Sequence, residues 1–206
     1  MIRLHDFPLS GHSHRARLFL SLLGLAHEIV PVDMASGAHK AAPFLALNPF
    51  GQVPVLQDGE VTLADSNAIL VYLALRHDPA RRWYPAEPAA AAAVQRWLSV
   101  AAGQLAGGPA AARLATVFGA KLDTERAKAI AANLFDVLER HLAGRDWLVG
   151  SAATIADVAL YSYTAHAPEG GVALTPYPAI RAWLGRIEAL PGFVAMPASP
   201  QAAAAA

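Results

Sequence analysis

Polar residues that could bind an anion stand at two places where the sequence predicts a helix to begin. Ser10 and Ser13 lie in a turn ahead of one apolar helical pattern, and Asp65 and Ser66 precede another. The first amides of a helix are free and carry the positive end of its dipole, so each place can hold an anion. A thiol held beside Ser10 or Ser13 would be favoured as its thiolate, because a serine hydroxyl can donate to the sulfur.

The segment between these helix starts predicts a β-hairpin with an unusual bend. Two short apolar runs, Val53–Gln57 and Val61–Leu63, are separated by Asp58-Gly59, a pair typical of tight turns. Pro54 cannot donate a ladder hydrogen bond. We therefore expect a cis bond between Val53 and Pro54, which would turn the main chain of Val53 toward a ligand.

Composition excludes several classes of function. The 206 residues include 16 basic and 16 acidic side chains without a basic cluster, so nucleic acid is not an expected partner. No apolar run reaches the roughly 18 residues of a membrane span, and no signal-peptide pattern opens the chain. There is no cysteine, which excludes a protein thiol or a thiolate metal site. A cytoplasmic protein without a metal or a cofactor is expected.

Periodicity and breakers divide the chain into two predicted domains, residues 1–78 and 89–206, joined by a proline-rich linker, residues 79–88. The tail after about residue 196 is expected to be frayed. The first domain alternates strands and helices, and the second is all helical. The predicted elements are strands Ile2–Phe7 and His27–Val32, the hairpin, and helices Ala16–Leu23, Lys40–Leu47, Ser66–His77, Ala89–Leu105, Ala110–Phe118, Thr124–Leu142 and Pro178–Leu190, with a further helix after the capping box of Thr154 and Asp157.

Several motifs resemble those of one protein family. NPFGQVPVL (48–56), ADSNAILVYL (64–73), DWLVG (146–150) and TIADVALYSY (154–163) are similar to segments of cytosolic glutathione S-transferases. The resemblance covers about residues 1–195. It implies an α/β thioredoxin-like N-terminal domain of order βαβαββα and an all-α C-terminal domain. It also implies a structural role for Thr154 and Asp157.

The turn SGHSHRARL (10–18) resembles SSCSWRVRI of zeta-class members, which points to a bacterial, zeta/theta-like serine type. The resemblance implies that the Ser10 hydroxyl donates a hydrogen bond to the sulfur of glutathione, with Ser13 as the alternative donor. His12 and His14 replace the cysteine and tryptophan of that motif. Each could contact the thiol, cap the helix or simply lie exposed in the turn, and with a pKa near 6.5 each could make activity pH dependent.

The resemblance also implies contacts for the rest of glutathione. The expected contacts are Ser66 with the γ-glutamyl carboxylate, Asp65 with the α-amino group, Val53 at the Pro54 bend with the cysteinyl main chain, Gln52 beside it, and His39 and Lys40 with the glycyl carboxylate. Arg15 and Arg17 could steer an anionic tripeptide or simply flank the helix, and the second interpretation is preferred.

A second, electrophile pocket is expected between the first turn and the C-terminal helices, lined by Leu9, His12, Gln104, Arg113 and Val117. Arg113 could be a cation of this pocket or the partner of a helix salt bridge. Phe50 stands where some relatives insert an aromatic ring into a neighbouring subunit. That would make a homodimer, and the alternative is a phenylalanine folded onto its own domain.

The predicted function is a glutathione transferase that activates the glutathione thiolate for attack on a small hydrophobic electrophile. Glutathione is then a co-substrate, and no cofactor is required. Two alternatives are a glutathione-dependent disulfide or peroxide reductase and a non-catalytic binding module. A zeta-type isomerase is a further possibility.

Overall fold

A computed structural model of the chain describes residues 1–200, and the predicted frayed residues Gln201–Ala206 lie outside them. The elements are β1 (Ile2–Asp6), α1 (Gly11–Leu22), β2 (His27–Pro31), a 3₁₀ turn (Ala38–Lys40), α2 (Ala42–Leu45), β3 (Val55–Asp58), β4 (Val61–Ala64), α3 (Ser66–His77), α4 (Pro88–Val100), a π-helical segment (Ala101–Ala110), α5 (Ala111–Phe118), α6 (Thr124–Leu142), α7 (Ile155–Ala165), a second 3₁₀ turn (Ala167–Gly170) and α8 (Pro178–Glu188).

The N-terminal half is built on a four-stranded sheet in the order β2-β1-β3-β4. Strand β1 is parallel to β2 and antiparallel to β3, and β3 and β4 form the hairpin. Helices α1 and α3 pack together, and α7 of the helical half packs on both of them. The predicted thioredoxin-like domain followed by a helical domain is therefore confirmed.

One apolar core crosses the junction between the halves. It includes Leu4 and Phe19 from the N-terminal half and Leu98, Phe135 and Trp183 from the helices. Because α1 is buried from both sides, its first turn is fixed by the sheet and by α7 together. Among residues 1–200, no helix is long and apolar enough to cross a membrane.

The helix that starts at Pro88 does not end at Leu105 as expected, because helical structure continues through Gly107-Gly108-Pro109 to Phe118. Pro109 lacks an amide hydrogen, and the chain accommodates it in a π-helical segment. Gly108 allows this segment to approach α6 closely, since a Cβ there would lie 2.9 Å from the amide nitrogen of Ala131. The two glycines and the proline thus lie inside continuous helical structure instead of ending it.

Two buried carboxylates hold the C-terminal half together. The predicted capping box is present, with Asp157 accepting hydrogen bonds from the Thr154 amide at 2.8 Å and from Trp183 Nε1 at 2.9 Å. The chain after residue 196 is not frayed as expected up to Ser199, which is buried and donates its amide hydrogen to Glu169 Oε1 at 3.1 Å.

Candidate active site

Ser10 caps the start of α1. Its Oγ accepts a hydrogen bond from the amide of Ser13 at 3.2 Å, while its own amide donates to the carbonyl of Phe7 at 2.9 Å. Accepting from the backbone occupies a lone pair and leaves the hydroxyl proton free to donate elsewhere. The helix starts at Gly11 instead of Ala16, because this cap supplies the N-terminal signal that the apolar pattern does not contain.

The first turn of α1 lies directly against α7. A Cβ at Gly11 would lie 2.7 Å from a ring carbon of Tyr163, so only glycine fits without displacing this ring. The His12 ring also meets Tyr163 edge to face, with 5.0 Å between the ring centroids. Tyr163 therefore forms a wall behind the Ser10 turn.

The start of α3 is the second helix terminus of the site. Asp65 caps it by accepting from the Ala68 amide at 2.9 Å. Its backbone has φ 74° and ψ 122°, a conformation that a non-glycine residue adopts only under strain. Ser66 follows at the first helical position and is buried.

The loop before β3 brings main-chain groups to the same place. The Val53-Pro54 bond is cis, as predicted. The loop is held by Asn48 Nδ2, which donates to the Gln52 carbonyl at 2.8 Å, and by Lys40 Nζ, which donates to the Phe50 carbonyl at 2.9 Å.

A single cavity of about 1480 Å³ connects these parts. Phe7, Leu114, Phe118 and Leu122 contribute apolar side chains to its lining, and the rings of Phe7 and Phe118 lie 6.0 Å apart between their centroids. These four residues are called the apolar side of the cavity. Among residues 1–200, no cluster of three His, Asp or Glu side chains could hold a metal ion. The predicted site residues that line the cavity are Leu9, Ser10, His12, His39, Lys40, Gln52, Val53, Pro54, Asp65, Ser66 and Arg113.

Three predicted site residues do not line this cavity. Ser13 is fully buried, and its Oγ accepts from the Phe7 amide at 3.4 Å, so it supports the turn. Gln104 lies on a different groove, between α4 and α6. Val117 is partly buried on α5 outside the cavity wall. The α5 residues that line the cavity are Ala111, Arg113, Leu114 and Phe118, because the helix is rotated relative to the expected pocket.

His12 and His14 are not exposed turn residues. His12 Nδ1 accepts from Arg15 Nη1 at 3.0 Å, and burial together with the Arg15 charge lowers the pKa of His12 to about 3. His14 is fully buried between the Ser162 hydroxyl and the Val194 carbonyl, each 2.8 Å away, and burial lowers its pKa to about 4. Both rings are neutral near pH 7, so neither supplies the expected titration near pH 6.5.

Arg113 is both an ion-pair partner and a wall of the cavity. Its Nε donates to Glu169 Oε2 at 2.8 Å, and its Nη1 donates to the Leu9 carbonyl at 2.8 Å. Burial alone would raise the pKa of Glu169. Hydrogen bonds from His166 and the Ser199 amide, together with the charge of Arg113, outweigh burial and lower that pKa below its usual value. The loop after α7 is thus linked through Glu169 to a side chain that lines the cavity.

Sequence analysis missed Tyr163 and misassigned Arg15, which is buried beneath Ser66. The spacing of Arg15 from Ser10 places Arg15 one turn inside α1. No other feature of the sequence indicated that Arg15 would be buried beneath Ser66. Nothing near Tyr163 in the sequence indicates that α7 approaches the first turn.

Comparison with known proteins identifies the family. Residues 9–76 match the family model described as glutathione S-transferase, N-terminal domain. Residues 89–191 match the one described as glutathione S-transferase, C-terminal domain.

Individual relatives agree over nearly the whole chain. Glutathione S-transferase 3 of Zea mays is 35% identical over 204 residues, covering 93% of this chain and 91% of the relative. The solved glutathione S-transferase of Xanthobacter autotrophicus is 36% identical with a TM-score of 0.86, covering 96% of this chain and 97% of that one. A glutathione transferase of Phanerochaete chrysosporium, solved with oxidized glutathione, is 26% identical with a TM-score of 0.84, covering 93% and 90%. The chain belongs to the glutathione S-transferase family.

Proposed function

We propose that this transferase binds glutathione across the two helix starts and uses Ser10 to hold its sulfur as a thiolate for attack on a hydrophobic electrophile. The observation that carries the proposal is the single cavity onto which Ser10, the cis Val53-Pro54 bend and Ser66 all open. The related Phanerochaete chrysosporium protein, solved with oxidized glutathione, supports the choice of ligand.

The tripeptide has a charged group for each polar part of the cavity. The γ-glutamyl carboxylate binds Ser66 at the start of α3, and the α-amino group faces Asp65. The cysteinyl main chain pairs with Val53 beside Gln52. The glycyl carboxylate lies toward His39 and Lys40, although Lys40 also donates to the Phe50 carbonyl.

Ser10 and the start of α1 then act on the sulfur. The hydroxyl proton is free because the Ser10 oxygen accepts from the Ser13 amide, and it can donate to a thiolate. A free thiol has a pKa of about 8.5, and lowering it by about 2 units, roughly 2.7 kcal/mol, makes the thiolate the main species at neutral pH. No side chain needs to take the proton, because the ionised form is itself stabilised.

The second substrate occupies the apolar side of the cavity. Phe7, Leu114, Phe118 and Leu122 form this side, next to the Ser10 turn. A flat apolar or aromatic electrophile matches such a surface, and its leaving group departs as the sulfur attacks. This wall favours transfer to an organic electrophile as the reaction.

The proposal is tested by titrating the thiol of bound glutathione in the wild type and in Ser10→Ala, following thiolate absorbance. In the wild type, we expect the thiol pKa of bound glutathione to lie about 2 units below that of free glutathione. In Ser10→Ala, this pKa should rise most of the way back to the free value. Ser10→Thr keeps a hydroxyl and a helix cap and is the matched control. An unchanged thiol pKa in Ser10→Ala would remove Ser10 from its proposed role.

Activity assays separate the three predicted functions. Transfer of glutathione to a chlorinated nitroaromatic compound is expected, with a loss of about 10²–10³-fold in Ser10→Ala. Reduction of a small disulfide without such transfer would instead support the reductase. Glutathione binding with neither activity would identify a binding module.

We also propose that the protein forms a homodimer in which Phe50 enters a groove of the second copy. Phe50 is 76% exposed in its loop, so its ring is free to contact a second copy. A groove of about 530 Å³ lies between α4 and α6, and Val137, half exposed on α6, lines it. The groove is lined by Arg96, Trp97, Val100, Gln104, Ile130, Asn133, Leu134, Val137 and His141.

A further inference from the structure

Arg15 is a completely buried cation beneath the candidate glutathione site. Its exposed fraction is 0%, and it is among the largest fully buried side chains of the protein. Burial lowers the pKa of Arg15 to about 10, so it is still charged at neutral pH. Arg17, two residues after Arg15, forms an ion pair with Asp6. Arg15 itself forms no ion pair with any carboxylate of residues 1–200.

The contacts of Arg15 are all to neutral groups. Nη1 donates to Ser66 Oγ at 3.1 Å and to His12 Nδ1 at 3.0 Å, and the guanidinium carbon lies 5.6 Å from the centroid of the Tyr163 ring. Within the described residues, 1–200, neither Nε nor Nη2 has a hydrogen-bond partner. A ring face and two neutral acceptors offset part of the cost of burying a charge, but they do not neutralise it.

The hydrogen bond to Ser66 also sets the direction of that hydroxyl. Ser66 Oγ accepts from Arg15, and the nearby Nδ1 of His12, 3.4 Å away, already accepts from the same guanidinium. Ser66 and His12 Nδ1 share a long hydrogen bond of 3.4 Å, and a carboxylate in the cavity, as the stronger acceptor, would draw the Ser66 proton away from it. The charge of Asp65, which is exposed at the cavity rim, raises the pKa of Arg15 but does not outweigh the effect of burial.

We infer that Arg15 is a positioning residue that selects the α-carboxylate of the γ-glutamyl group, acting through the Ser66 hydroxyl as the buried positive charge behind it. This inference rests on the proposed binding of glutathione. The ligand carboxylate supplies a negative charge next to Ser66, where Arg15 has no carboxylate partner. Its binding free energy should therefore exceed that of a hydrogen bond between two neutral groups. The strength of the anion site then depends on α1 as well as on the start of α3.

The test compares two ligands, glutathione and γ-aminobutyryl-cysteinyl-glycine, which lacks only that α-carboxylate. Their Kd values are measured by calorimetry for the wild type, Arg15→Gln and Arg15→Lys. We expect the wild type to prefer glutathione by at least about tenfold and Arg15→Gln to lose most of this ratio. Arg15→Lys keeps a charge but cannot reproduce the guanidinium contacts, so we expect an intermediate ratio and an unchanged Kd for the analogue.

The ratio separates selection of the carboxylate from a general structural role. Equal weakening of both peptides in the folded variants would overturn the inference, and so would an unchanged ratio. If Arg15→Gln does not fold, Arg15→Lys alone decides by the same criterion. Arg76→Gln removes an exposed charge from α3 and is the matched control, with no change expected in the ratio. Wild-type protein that binds neither peptide would instead contradict the proposed function.

Discussion

Arg113 of α5 donates a hydrogen bond to the carbonyl oxygen of Leu9, with 2.8 Å between Nη1 and the oxygen. Leu9 directly precedes Ser10. A side chain of the helical half therefore holds the turn that contains Ser10, the proposed hydrogen-bond donor to the glutathione sulfur. The same guanidinium is buried and paired with Glu169, which fixes its orientation. The Ser10 turn is therefore positioned by both halves of the chain.

Replacing Arg113 by methionine should destabilise the protein strongly. The Glu169 carboxylate would remain buried without its cation, which typically costs about 3–5 kcal/mol in the free energy of unfolding. Urea denaturation measures this loss, and adding Glu169→Gln in the same chain should recover part of it. Lys128→Met removes an exposed pair with Glu125 and should change stability by only about 0.5 kcal/mol. Equal losses in the two methionine variants would contradict the assigned role of the buried pair.

Stability should fall in mild acid because of His14. Burial lowers its pKa in the folded state to about 4, although the hydrogen bond to the Val194 carbonyl opposes part of this effect. The unfolded chain, with a pKa near 6.5, binds a proton first as pH falls. The stability that neutral His14 contributes is therefore complete above about pH 6.5 and is lost as pH falls toward 4.

Between about pH 7 and pH 4.5, His14 should account for a loss of about 2–3 kcal/mol in the free energy of unfolding. Denaturation of the wild type and of His14→Gln at both pH values isolates this contribution, because other titrating groups, including His12, are common to both proteins. The variant should show a shallower pH dependence. Parallel pH curves would mean that His14 is not held neutral in the folded state.

Phe50→Ser should convert the proposed dimer to monomers. The Phe50 ring is more exposed than that of Phe118 and is proposed to fill the groove between α4 and α6, and losing a buried phenylalanine commonly costs about 3–5 kcal/mol. Sedimentation velocity at several concentrations measures the change. Phe118→Ser alters another partly exposed ring, on the cavity wall, and should leave the association state unchanged. A wild-type protein that sediments as a monomer would refute the dimer.

Much of the fold could be predicted because its signals are local. Helices α3 and α6 begin and end where capping and periodicity placed them, and Asp65 caps α3. The hairpin is present, with Gly59 at positive φ. The course of the helix through Pro109 was mispredicted, because its continuation depends on the close contact between Gly108 and α6.

The site was predictable on its polar rim but not beneath it. Ser66 and Ser10 stand at helix starts, a position that sequence indicates directly. His14 was open to interpretation as an exposed residue because its partners, Ser162 and Val194, lie 148 and 180 residues away. The charge of Arg15 beneath Ser66 likewise depends on the packing of α1 against α3, which no local pattern encodes.

The segment after α8 packs against α1, the helix that Ser10 caps. Val194 accepts from His14, Met196 is buried, and the Ser199 amide donates to Glu169, although the C-terminal family model ends at residue 191. Proteolysis after Pro191 would remove hydrogen-bond partners of His14 and Glu169, and both residues support the part of the protein where the thiolate is proposed to bind. Sample integrity at this end, checked by intact-mass spectrometry, is therefore a prerequisite for interpreting any kinetic constant of the enzyme.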